Sequence, residues 1–122
     1  VRDAAARAAD VVRAKQWMEV AAHLGAPVLR VFAGAIPPAP DSWEDGALRM
    51  VDALHECVAH GEKYGVIVGL QNHGDMLKSA HECFNILGRI KSRWIGLIRD
   101  TGNFLTTDAY ADIARVIPVT VN

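Results

Sequence analysis

Apolar residues recur at Val11, Ala14, Met18 and Ala21, a helical spacing that predicts a helix over about Asp3 to Leu24. Gly25 follows and stops it, as a residue free to take positive φ does. The run Pro27-Val28-Leu29-Arg30-Val31-Phe32-Ala33 is short, apolar and β-branched and ends at Gly34, which predicts a buried strand. Three prolines in Ile36-Pro37-Pro38-Ala39-Pro40 remove backbone donors, so this stretch is a loop. Ser42, with Asp45 three residues on, has the form of a helix-start box. The helix it opens runs from Trp43 to Tyr64, buries Met50, Val51, Leu54, Cys57 and Val58, and stops at Gly65. Val66 to Gln71 is the clearest strand and runs into the polar cluster Asn72-His73-Gly74-Asp75. A second box, Ser79 with Glu82, opens a helix whose stripe is Ala80, Cys83, Phe84, Leu87 and Ile90. Ile95 to Ile98 forms a third strand ending at Arg99-Asp100. Thr107 or Asp108 starts a short helix through Arg115, and Pro118 to Asn122 has the look of a fourth strand.

Strict alternation of helix and strand predicts a parallel sheet with helical crossovers. Near-continuous apolar strands fit a sheet covered on both faces. Two architectures compete, an open doubly wound sheet and a closed eightfold barrel. The dinucleotide-binding open sheets carry a Gly-rich turn after a strand, and neither GxGxxG nor GxxxxGK[ST] occurs here. No nucleotide cofactor is therefore expected. A complete barrel needs about 250 residues. The 122 residues here supply about half of one, beginning at a helix and stopping inside a strand. The expectation is an α/β chain of parallel (β/α) units, residues 1–122 forming a single segment of a TIM barrel, truncated at one or both ends.

Composition narrows the function classes. At 51% hydrophobic and 22% charged, the chain is an ordinary globular unit. A net charge of -1 gives no electrostatic footprint for nucleic acid or an anionic membrane. The apolar runs fall far short of the roughly 18 residues a membrane span needs. Cys57 and Cys83 lie outside any CxxC pattern and on apolar helix faces, which makes them small buried hydrophobes. Nothing suggests a secreted disulfide framework, so a cytoplasmic location is expected. The Ala- and Arg-rich stretch from Arg2 to Arg13 also contains Asp3 and Asp10, which favours an amphipathic helix over a transit peptide. His55-Glu56-Cys57-Val58-Ala59-His60 comes near the zinc-protease HExxH, but its histidines are five apart. On a helix that separates them by about 140°, so they share no metal.

Candidate chemistry gathers at the C-terminal ends of the strands: Arg30 on the first, Gln71 to His73 on the second, Asp100 on the third. In a parallel barrel, active sites form at that end. Gly69 and Gln71 share one strand face, as do Gly96, Ile98 and Asp100, and small residues below a polar one suit a crowded interior. Plainer roles compete. Asn72 and Asp100 also serve as strand-end caps bonding backbone amides, and His73 as a solvated loop histidine. Arg30 either clamps a phosphate or acidic group or pairs with a strand-end acid such as Asp100.

Three segments carry a family resemblance. Leu24-Gly25-Ala26-Pro27-Val28-Leu29-Arg30-Val31-Phe32-Ala33-Gly34 is similar to the third-strand region of xylose isomerase-like sugar phosphate isomerases and epimerases. Gly65-Val66-Ile67-Val68-Gly69-Leu70-Gln71-Asn72-His73-Gly74-Asp75 resembles their strand ending in Glu-Asn-His. Ile95-Gly96-Leu97-Ile98-Arg99-Asp100-Thr101-Gly102-Asn103-Phe104 resembles their Asp-x-Gly-Asn segment. The resemblance implies an isomerase or epimerase of a small sugar or sugar phosphate, working by metal-assisted proton transfer beside a carbonyl. A hard cation such as Mn²⁺ or Mg²⁺ bridges sugar oxygens while a carboxylate moves the proton. Carried onto this chain, it makes Asp100 a metal ligand and Gln71 the second ligand position, with Arg30, Asn72, His73 and Asn103 as substrate-binding candidates. The family has Glu where this chain has Gln71, and an amide adds no negative charge and cannot act as a base. No catalytic residue is assigned. Alternatives are a non-catalytic carbohydrate-binding relative and a sugar-acid lyase or dehydratase. DNA-repair endonucleases share the barrel, but near-neutral charge argues against one. The expected partner is a small carbohydrate. Half a barrel exposes sheet edges and an apolar interior, so the isolated segment is expected to need its missing strands or to self-associate as a homo-oligomer.

Overall fold

The computed structural model describes residues 3–73 and 76–121. Gly74 and Asp75 of the polar cluster, and Asn122, lie outside the described residues. Helix α1 spans Ala4–His23 and is capped by Asp3, whose carboxylate accepts from the amides of Ala5 and Ala6. A side-chain cap of this kind is worth about 1 kcal/mol over Ala. Strand β1 spans Val28–Phe32. Helix α2 spans Trp43–Tyr64 and opens on the full box, with the Ser42 hydroxyl accepting from the Asp45 amide and Asp45 accepting from the Ser42 amide. It closes at Gly65 in the left-handed region, at φ 72°. Strand β2 is Ile67–Gln71, and helix α3, Ala80–Ile90, carries the second box on Ser79 and Glu82. Strand β3 is Ile95–Ile98, and helix α4, Ala109–Val116, is capped by Asp108.

The fourth strand is the one element the chain builds differently. Ile117–Val119 forms a 3₁₀ turn, and Thr120 then makes a single parallel bridge to Leu97, with the Val121 amide donating to the Leu97 carbonyl at 2.9 Å. Pro118 explains the difference. Its fixed φ and missing N–H suit the start of a helical turn and remove a ladder donor.

The three strands are parallel in the order β1-β2-β3. Leu29 and Val31, Val68 and Leu70, and Ile95 and Leu97 share the face that meets the helices, and Val68, Leu70 and Leu97 are fully buried there. On the opposite face, side chains do the covering in place of helices. Val28 and Ile98 converge over Gly69, where an added Cβ would lie 2.7 Å from Val28 and 2.6 Å from Ile98. Val121 seats on Gly96 in the same way.

The helical layer is tied across its seams. Lys15 pairs with Glu56 at 2.7 Å and His60 meets Glu19 at 3.1 Å between α1 and α2. Arg89 grips Glu44 with both terminal nitrogens, at 2.7 and 2.9 Å, between α2 and α3. Asp112 on α4 is buried and accepts from the Ala80 amide and the Thr106 hydroxyl, fixing the start of α3. His60 is thus a seam residue, and its ring also lies at a tilt against Tyr64. Cys57 and Cys83 are free and buried in the core. Among the described residues, no helix is long and apolar enough to cross a membrane.

Candidate functional site

Strand parity and register bring the site together. Arg30 sits opposite Gly69, and Phe32 opposite Gln71, which is in turn opposite Ile98. Arg30, Phe32, Gln71 and, two residues past Ile98, Asp100 therefore point to the face away from the helices. Gly69, opposite Arg30 and two residues before Gln71, is covered by the Val28 and Ile98 side chains.

Gln71 is the hub. Its Nε2 donates to Asp100 Oδ2 at 2.9 Å, and its Oε1 accepts from Arg30 Nη1 at 3.3 Å. This orientation alone satisfies both neighbours, because the reverse would set amide hydrogens against a guanidinium and an oxygen against a carboxylate. Gln71 is only 6% exposed, so its amide sits as a fixed spacer between the two charges. The alternative of a direct Arg30–Asp100 salt bridge is not what forms.

Asp100 is held at five points. Its second carboxylate oxygen accepts from the Gly102 amide at 3.0 Å. Its backbone is gripped by Asn72, whose Oδ1 accepts from the Asp100 amide at 2.7 Å and whose Nδ2 donates to the Asp100 carbonyl at 2.8 Å. Asn72 is fully buried, so the structure places this substrate-binding candidate behind the site as a brace. Asn103 lies in the turn that follows, its amide donating to the Asp100 carbonyl at 3.3 Å.

His73 is exposed and meets Phe32 edge to face, with ring centroids 5.3 Å apart. The Arg30 guanidinium lies over the same ring, 4.9 Å from its centroid. Phe32 is thus the centre of an aromatic and cationic cluster at the mouth of the sheet, and it stays 53% exposed. Sequence reasoning missed it. The signal was its place two residues after Arg30 on one strand face, at the C-terminal end.

The two expected metal-ligand positions, Gln71 and Asp100, are neighbours, but as donor and acceptor of one hydrogen bond. A dication between them would meet one carboxylate already engaged on both oxygens, an amide oxygen turned to a guanidinium, and the charge of Arg30. Hard cations ask for six or more oxygen ligands. Among the described residues, no group of three His, Cys, Asp or Glu side chains converges as a metal site. As arranged, this donor set does not fit the ion.

A cavity of about 740 Å³ opens elsewhere, along the outer edge of β1 between α1 and α2, with Trp17, Leu29, Met50 and Leu54 in its lining. Arg30 and Phe32 reach its rim, while Gln71 and Asp100 do not.

The fold has relatives among known proteins. The model of the xylose isomerase-like TIM barrel family matches residues 1–118. A D-tagatose 3-epimerase-like protein superposes with a TM-score of 0.87 at 21% identity, covering 100% of this chain and 48% of that one. A protein of Sinorhizobium meliloti 1021 gives 0.80 at 18% identity, covering 98% and 47%. A xylose isomerase domain protein from Planctomyces limnophilus gives 0.75 at 16% identity, covering 93% and 40%. No curated relative matches. The chain spans about half the length of the solved structures it matches. The three parallel strands and their helices are accordingly part of an unclosed barrel, and the chain belongs to the xylose isomerase-like TIM barrel family.

Proposed function

We propose that the protein is a sugar isomerase or epimerase and that this segment supplies part of its substrate floor. The observation that carries the reading is the braced strand-end cluster Arg30–Gln71–Asp100 beside the exposed Phe32 ring, on the face of the sheet away from the helices. Small-molecule sites combine an apolar surface with a few fixed polar groups. Phe32 offers a flat surface to the C–H face of a sugar ring, and Asp100 accepts from a sugar hydroxyl with its remaining lone pairs. Because Asn72, Gln71 and Gly102 fix Asp100 before any ligand arrives, little ordering entropy is lost on binding.

Proton transfer beside a carbonyl needs a base within hydrogen-bond reach. Gln71 cannot be that base. Among the described residues, Asp100 is the carboxylate at the strand ends, and His73 is the exposed imidazole against Phe32. The side chains here bind and orient the substrate. A second reading, a carbohydrate-binding relative without catalysis, is favoured by the same Gln71. Proton exchange separates them. The full-length protein is incubated with a panel of small ketoses and their phosphates in D₂O, with Mn²⁺ or Mg²⁺ present. Deuterium appearing at the carbon beside the carbonyl is expected. Binding without exchange across the panel would leave the non-catalytic reading in place.

A further inference from the structure

We infer that Arg30 is an anion clamp, and that the substrate of this site carries a carboxylate or phosphate group. The inference rests on the carbohydrate reading and names the substrate class for it. Among the described residues Arg30 pairs with no carboxylate; its one side-chain hydrogen bond goes to the neutral oxygen of Gln71. Every other arginine for which an ion pair forms here sits directly on an acid, as Arg13 on Asp10, Arg49 on Asp41 and Arg89 on Glu44. Arg30 differs because the Gln71 amide stands between it and Asp100.

The guanidinium is nonetheless held in place. Phe32 supports its plane from below at 4.9 Å, and Gln71 fixes one nitrogen while itself tied to Asp100 at 2.9 Å. Arginine carries five N–H donors in a rigid fork that matches the two oxygens of a carboxylate or phosphate. One donor is engaged by Gln71, and Arg30 is exposed at the mouth of the sheet. A positioned, unneutralised fork gains little from a neutral hydroxyl and much more from an anion, since charge-assisted hydrogen bonds are about twice as strong as neutral ones. The clamp also sits on the strand face shared by Asp100, so a short polyol gripped at its acidic end by Arg30 would lie across Phe32 toward that carboxylate.

The test compares three six-carbon polyols on the full-length protein by isothermal titration: sorbitol, gluconate and sorbitol 6-phosphate, with inorganic phosphate alongside. The expected result is that gluconate or sorbitol 6-phosphate binds about ten- to a hundredfold more tightly than sorbitol. The tighter of the two identifies the acidic group. Arg30→Met erases that preference. Gln71→Glu, measured in EDTA, does the same by pairing Arg30 with an internal carboxylate. Equal binding of all three polyols, or a preference that survives Arg30→Met, overturns the clamp and leaves the carbohydrate reading standing. Phosphate binding with no polyol preferred over it would overturn the carbohydrate reading and support the clamp. Binding of none of the four probes overturns both.

Discussion

The two faces of the sheet are built from the same three strands and follow opposite rules. Toward the helices stand Leu29, Val31, Val68, Leu70, Ile95 and Leu97, apolar without exception, buried on the second and third strands and half-buried on the first. On the other side, each strand mixes a small or apolar residue with a polar one: Val28 then Arg30, Gly69 then Gln71, Ile98 then Asp100. The first face obeys volume, and any residue of the right size and apolarity will serve. The second obeys direction, because hydrogen bonds there run between named atoms. Stability and function therefore separate by strand parity within single strands of four or five residues.

The comparison is broken most severely on the apolar face. Leu97→Ala removes a fully buried side chain from the core and is expected to cost about 2–5 kcal/mol, read as a lower urea midpoint of the full-length protein. Ligand affinity per folded molecule should not change. Loss of affinity at full folding would show that the faces are not independent. Asn72→Ala comes next in size. It strips two hydrogen bonds from the Asp100 backbone and should cost about 1–3 kcal/mol. Here ligand affinity is expected to fall with stability, because Asp100 loses its brace; unchanged affinity would reduce Asn72 to a strand cap.

The smallest effect lies at the rim of the helical layer. The Ser42 amide, and then its hydroxyl, hold the exposed Asp45 carboxyl below its ordinary value. A depressed carboxyl contributes stability at neutral pH that is lost as pH falls through its folded value, from about pH 5 downward. Asp45→Asn should flatten that part of the acid limb in a melting-temperature profile without moving ligand binding.

Much of the helical layer was legible because its signals are local. Ser42 with Asp45, Ser79 with Glu82, and the stops at Gly25 and Gly65 each lie within one turn of the end they mark. The final segment misled for a related reason. Val119, Thr120 and Val121 have strand propensity, but Pro118 before them imposes a turn, and only one bridge to Leu97 forms. The site was legible as a set of residue types and illegible as a wiring. That Gln71 would fall between Arg30 and Asp100 depends on the cross-strand register, Arg30 on Gly69 and Gln71 on Ile98, which no local pattern encodes. Phe32 was hidden differently. Within an apolar run, nothing marked it as the one large residue left uncovered at the strand end.

The regular β2–β3 pairing ends at Gln71 and Ile98, yet Asn72 adds one more rung by using a side-chain amide where a backbone would stand. Mechanically, the sheet is longer than its strands. Asp100 lies in a connecting segment but shares the rigidity of the ladder, and its amide proton should exchange with solvent on the slow timescale of β3 instead of the fast one of a loop. A side chain borrowed as backbone thus turns a loop residue into the last residue of a strand.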